Sequence, residues 1–251
     1  MMTALTVFLF TYFLNITLIT VLYHRGLAHG AVKLTRFGRF LAKDVAVWLT
    51  GIDPKGWVCM HRLHHNHSDS ALDPHSPVNS SIVGVFFDQH RSFSRVLSGL
   101  IRKKKEFTEV VSDIDFDVHW LNANKLWWLP LALHSVIGVV LGMTTSNYLL
   151  GFGYVAGMSS HPVQGWLVNS FGHAKGYQNF DLGDHSRNNT LVAWAVVGEG
   201  YQNNHHKYPA SAKFSVKWYE VDVGYFLVHV LDLVGVVEYN PKLKPASLET
   251  N

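Results

Sequence analysis

Residues 3–29 read TALTVFLFTYFLNITLITVLYHRGLAH: an uncharged run from Thr3 to Tyr23, then two histidines five residues apart. The run has about 20 residues, the length an α-helix needs to cross a bilayer core. No basic residue precedes it and His24 follows at once, so it does not read as a cleaved signal peptide. We read a span at about 3–23 that delivers an imidazole to the membrane edge. Two further segments carry no charge. They are 126–143, with one histidine at 134, and 147–171, with one at 161. Both read as spans, and the single histidines as core or helix-packing residues.

Composition alone does not decide this. Apolar residues make up 48% of 251 and the mean hydropathy is +0.08, values a soluble protein also shows. Charge placement adds more. All 21 Lys and Arg lie in 24–125 or 172–251. By the positive-inside tendency the N-terminus and the link near 145 face outward. The metal-ligating clusters then fall on the cytoplasmic face. A net charge of +3 implies no nucleic-acid partner. The run Arg102 to Lys105 reads as a solvated face, with anionic lipid or an acidic redox protein as the sharper alternative. The lone Cys59 excludes an intrachain disulfide and a Cys-rich metal site.

The length suits one domain, 1–251, with a cap from 24–125 and 172–240. Leu34 to Thr50 mixes charged and apolar residues as an interfacial amphipathic helix does. Gly51 to Gly56 breaks it, and a new helix carries Trp57 to His65. Residues 66–90 are turn-rich and 91–125 read as helix. Gly172 to Asn189 is loop, Leu191 to His206 helix, and Lys213 to Val237 an amphipathic segment along the membrane surface. The tail follows Asn240. The expected fold class is all-α: an integral membrane protein of about three spans with a cytoplasmic helical cap.

Sixteen residues are histidine, and half form four clusters: His24 and His29; His61, His64 and His65; His173, four after Asn169; and His205 and His206. Positions i, i+3 and i+4 share a helix face, so HRLHH aims its rings to one side, and Gln202, His205 and His206 repeat that spacing. His24 and His29 lie roughly 140° apart around an α-helix, so they share a site only if the helix ends between them. Without metal, eight imidazoles beside a bilayer need many partners, at roughly 1–3 kcal/mol for each one missing. Eight exceed one four-coordinate zinc shell. They divide into two sets suited to two iron ions.

The motifs HRGLAH (24–29), HRLHHNHSD with DPHSP (61–69 and 73–77), WLVNSFGH (166–173) and GEGYQNNHHKYP (198–209) resemble those of the membrane fatty acid desaturases. The resemblance is to the Δ9 acyl-CoA/acyl-lipid branch that includes stearoyl-CoA desaturase, and it covers residues 21 to 240. It implies an oxygen-dependent enzyme with two iron ions that inserts a cis double bond into a fatty acyl chain carried by CoA, carrier protein or lipid. It also implies an electron donor such as a ferredoxin, a rubredoxin or a cytochrome b5-type protein.

Carried over, His24, His29, His61, His64, His65, His173, His205 and His206 match iron ligands, and Asn169 a residue that reaches iron through water. Gln202 stands where the family usually has His. It either binds weakly, acts through water, or leaves a more open site, and His67 and His185 are possible substitutes. Relatives often carry another span before the first His motif, a second expected departure. In the family, bulk on the first helix limits chain length, which makes Phe8 and Tyr12 candidates for the closed end of a tunnel. Asp69, Asp73, Asp184 and Glu199 are candidate acceptors for imidazole N–H groups. A hydroxylase on the same site, and a non-catalytic metal- or lipid-binding protein, are the competing readings.

Overall fold

The computed structural model describes residues 2–240; the tail beyond Asn240 lies outside them. The chain is mostly helical, with one two-stranded ribbon. Helix α1 (Met2–Thr17) continues without interruption as a π-wound segment, Leu18–Ala28. Together they form a helix of 27 residues with a mean hydropathy of 2.1, long and apolar enough to cross a membrane. It is the one such helix among the described residues.

Strand β1 (Lys33–Leu34) pairs antiparallel with β2 (Val237–Glu238). Helix α2 (Arg36–Phe40) runs through a π turn, Leu41–Val45, into α3 (Ala46–Thr50), as the amphipathic pattern predicts. Gly51, at a φ of 73°, ends it. Asp53 caps α4 (Pro54–His67) by accepting from Gly56 N, and Pro54 sits in its first turn. Helix α5 (Gly84–Ile101) begins earlier than the sequence suggests and ends earlier too. Between it and residue 125 only α6 (Lys105–Thr108) and α7 (Trp120–Ala123) are helical, so most of the stretch 102–125 is irregular.

The second apolar segment forms α8 (Leu129–Thr144). The third is split into α9 (Tyr148–Met158) and α10 (His161–Ala174). Pro162 in the first turn of α10 cannot donate, so the ladder stops. Local polar groups take up the freed atoms: Asn15 Nδ2 donates to Met158 O at 2.7 Å, and Ser160 Oγ to Gly157 O at 2.6 Å. Glycines let these helices touch. A Cβ on Gly157 would collide with Thr11, and one on Gly151 with the carbonyl of Gly138. His134 is bonded through both nitrogens, to Tyr154 Oη and Trp48 O at 2.9 Å each, the packing role expected of it.

The helix expected over 191–206 is also two: α11 (Thr190–Ala195) and α12 (Gln202–Lys207). Val197 and Gly198 between them have positive φ, 49° and 102°. Helix α11 packs on the first helix. Tyr12 Oη donates to its last carbonyl, Ala195 O, at 2.8 Å, and Val192 and Val196 pack on Ile16. Helix α13 (Val223–Leu233) follows, shorter than the amphipathic stretch expected.

Candidate metal centre

The widened winding of residues 18–28 decides the first part of the site. A π-turn bonds residue i to i+5, and His29 N indeed donates to His24 O at 3.2 Å. The wide turn brings the two rings together, and the helix ends at Ala28 with His29 as its cap, so the condition read from the spacing is met. Their centroids are 5.0 Å apart. Helix α4 supplies the next rings. At about 100° per residue, His65 is displaced one way from His61 and His64 the other. HRLHH does not face one centre, as its spacing suggests, but straddles two.

His24, His29, His61, His65 and His205 bring ligand nitrogens within 4.8 Å of one another. Nε2 of His205 lies 2.9 Å from Nε2 of His24 and 3.0 Å from Nε2 of His65; His29 and His61 approach through Nε2 at 2.8 Å. A ring nitrogen carries either one proton or one lone pair, so His205 Nε2 cannot serve both neighbours at once. A cation accepting all the lone pairs resolves this. His64, His173 and His206 form a second group, and Nε2 of each is buried with no hydrogen-bond partner among the described residues. Such orphaned acceptors fit a metal ion.

Four carboxylates hold the rings from behind. Nδ1 of His24 meets Glu199 at 2.7 Å, His64 meets Asp73 at 2.9 Å, His173 meets Asp69 at 2.8 Å and His206 meets Asp184 at 2.8 Å. With Nδ1 donating, Nε2 is left as the inward lone pair. Burial works against charge on Glu199, but His24 and Arg25 outweigh it and hold the carboxyl at about 2. Burial likewise opposes ionisation of Asp73, and His64 and His75 hold it at about 2. Asp69 and Asp184 are also held well below the usual range against burial, chiefly by His173 and His206. Burial keeps His61, His65 and His205 neutral, well below 6.5, and His206 is pushed down to about 4.

A cavity of about 60 Å³ adjoins the first group, with His24 and His61 in its wall. Asn169 and Gln202 line it. Gln202 Nε2 donates to Glu199 O at 2.7 Å. Phe8 and Tyr12 do not line it; Ile16 and Ile19, one and two turns nearer His24, do. Tyr12 is engaged with Ala195 instead. His185 is largely exposed and 3.8 Å from Asp69, and neither it nor His67 joins a ligand group.

Three contributors escaped the sequence reading. His75, from DPHSP, is buried, stacks on His64 at 4.9 Å and forms a third group with His64 and Asp73. Trp57 stacks on His61 with centroids 4.9 Å apart and planes 12° apart; its place one turn before His61 was a readable signal. Arg25 is fully buried, bonded to Glu199 at 2.7 Å and to Asp222 at 3.1 Å.

Fold and site together define a helical protein with an apolar spanning-length helix and two imidazole-lined pockets joined by α4. Residues 1–222 match the family described as fatty acid desaturase, and the chain belongs to that family. It is 33% identical over 224 residues to the Delta-9 desaturase-like 2 protein of Arabidopsis thaliana, covering 87% of this chain and 70% of that one. It is 30% identical to the Acyl-CoA 5-desaturase AL21 of Anemone leveillei, covering 86% and 65%. With the Palmitoyl-monogalactosyldiacylglycerol delta-7 desaturase of Arabidopsis thaliana it shares 31% over 87% of this chain and 56% of that one. The chain thus spans somewhat under two thirds of the length of the Anemone relative and just over half that of the delta-7 relative.

Proposed function

We propose that the protein is a membrane-embedded acyl desaturase that removes two hydrogens from adjacent methylenes of a fatty acyl chain to form a cis double bond. The balance is one dioxygen, two electrons from an external donor and two protons consumed, and two waters released. The observation that carries the reading is the set of inward Nε2 lone pairs, fixed in two groups by four carboxylates. Two iron ions held there, by His24, His29, His61, His65 and His205 and by His64, His173 and His206, would supply the oxygen activation. Asn169 and Gln202 line the cavity with His24 and His61 and would hold water or a weak oxygen ligand there.

The protein's own task is positional. The cavity is far below the roughly 300 Å³ of a small ligand site. It suits the few carbons nearest the metal groups, with the rest of the chain lodged beyond it. Ile16 and Ile19 close its membrane side and exclude water. Segments 2–28, 129–144 and 148–174 cross the bilayer, with the clusters on the cytoplasmic face. The relatives are named for a 5-desaturase of acyl-CoA, a delta-7 desaturase of a galactolipid and a likeness to Delta-9 desaturases, and the Δ9-type product is our choice among them.

The test is expression with a competent electron donor in a host lacking its own unsaturated products, followed by fatty acid analysis. We expect a product two hydrogens lighter than its substrate, absent from a His61→Ala variant. A product heavier by one oxygen would replace this reading with hydroxylation.

A further inference from the structure

The break at Ser159 and Ser160 delivers one side chain that the scheme above does not use. His161 opens α10, and its Nε2 accepts the indole N–H of Trp57 at 3.2 Å. Trp57 in turn lies flat on His61 and meets His24 edge-on at 5.7 Å. Both Trp57 and His161 line the cavity. One hydrogen bond therefore ties the third apolar segment to the helix that carries three candidate ligands.

The tautomer follows from the geometry. Because Nε2 accepts, the proton of a neutral His161 is on Nδ1. That atom is buried, with no partner among the described residues. A buried donor left unpaired is unfavourable, and a phenyl ring would fill the place without that cost. What a phenyl ring lacks is the acceptor for Trp57. Stacking alone lets an indole slide along its neighbour; a directional bond at its edge fixes both side-chain torsions.

We propose that His161 is a positioning residue. It fixes the Trp57 indole, and through it both the ring plane of His61 and the wall against which the substrate chain lies. One pair of adjacent carbons is thereby presented to the metal groups. The consequence for products rests on the desaturase reading; the tether itself does not.

Two measurements decide it. The first locates double bonds by mass spectrometry in the products of wild type, His161→Phe, His161→Gln, Trp57→Phe and the His161→Phe/Trp57→Phe double variant. His161→Phe and Trp57→Phe should each raise the minor positional isomers by about fivefold or more, the scale of a lost packing distinction. His161→Gln keeps an acceptor and should stay near wild type. The double variant should be no worse than either single one, because both remove the same bond. The second is ultraviolet resonance Raman of the purified protein, which reads indole N–H bonding without turnover. His161→Phe should shift the contribution of one tryptophan, the one Trp57→Phe removes. An active His161→Phe with the wild-type isomer ratio, or an unshifted indole signal, overturns the proposal. If wild type itself makes no unsaturated product, the desaturase reading fails, and the Raman comparison still decides the tether.

Discussion

An imidazole has two nitrogens, and at four of the metal-facing histidines they are divided between two tasks. Nδ1 of His24, His64, His173 and His206 is spent on Glu199, Asp73, Asp69 and Asp184, which turns Nε2 inward. Removing such an acceptor typically costs about 10–100-fold in metal affinity. Asp73→Ala should therefore weaken the His64 group by that factor and spare the five-histidine group. Metal titration of the purified variant would show one weakened site of two; two unchanged sites would mean that the carboxylate does not orient the ring. Gln202→His tests the neighbouring position, and iron per chain should not fall. A clear fall would mean that the amide itself holds a ligand position. Ile16, on α1, lines the cavity. Ile16→Ala opens the floor of the cavity and should relax discrimination against chains one or two carbons longer by about tenfold, read by gas chromatography of products. An unchanged chain-length profile would place the tunnel's end elsewhere.

Elements show where the sequence was legible and where it was not. The first span, α4 and the four carboxylate partners were readable, because apolar run length, a Pro after an Asp cap and acids beside His motifs are local signals. The wide turn that pairs His24 with His29 was not. Spacing of five is wrong for an α-helix, and nothing in HRGLAH announces that the backbone widens to a π-helix instead. The splay of His64 away from His61 and His65 was implicit in the helical angle but invisible without a second pocket to aim at. Two segments were read as single helices, although Pro162 and Gly198 marked the breaks. Gly198 carries a sharp expectation. Its φ of 102° is hostile to a side chain, and a Cβ there would collide with the Asp222 carboxylate that faces Arg25. Gly198→Ala should cost about 1–3 kcal/mol and loosen the Arg25–Glu199 brace behind His24. A thermal midpoint equal to wild type would contradict the strain argument.

The molecule as a whole buries its clustered imidazoles, where they are shielded from water and from protons alike. Burial holds His61, His65 and His205 well below 6.5, His206 at about 4 and His75 at about 3. An unfolded chain takes up protons near pH 6.5, so below that value it binds protons the fold refuses, and stability falls with pH. Asp73 and Glu199, at about 2, add stability that is present above their unfolded values and lost only as pH drops toward 2. Asp53 runs the other way. Burial raises it to about 6, so its contribution is present at low pH and is lost as pH rises through 6. One carboxyl does not offset five imidazoles. The metal-free protein in detergent should keep a level melting temperature above about pH 7 and lose it steeply between about 6.5 and 4. Iron should raise the plateau and carry it to lower pH, ending in a sharper fall where protons displace the ions. Scanning fluorimetry from pH 8 to 4, with and without chelator, separates the two curves. A metal-free protein melting equally at pH 7.5 and 5 would mean that these rings are not buried as neutral bases, and with that the argument for two preformed metal pockets would fail.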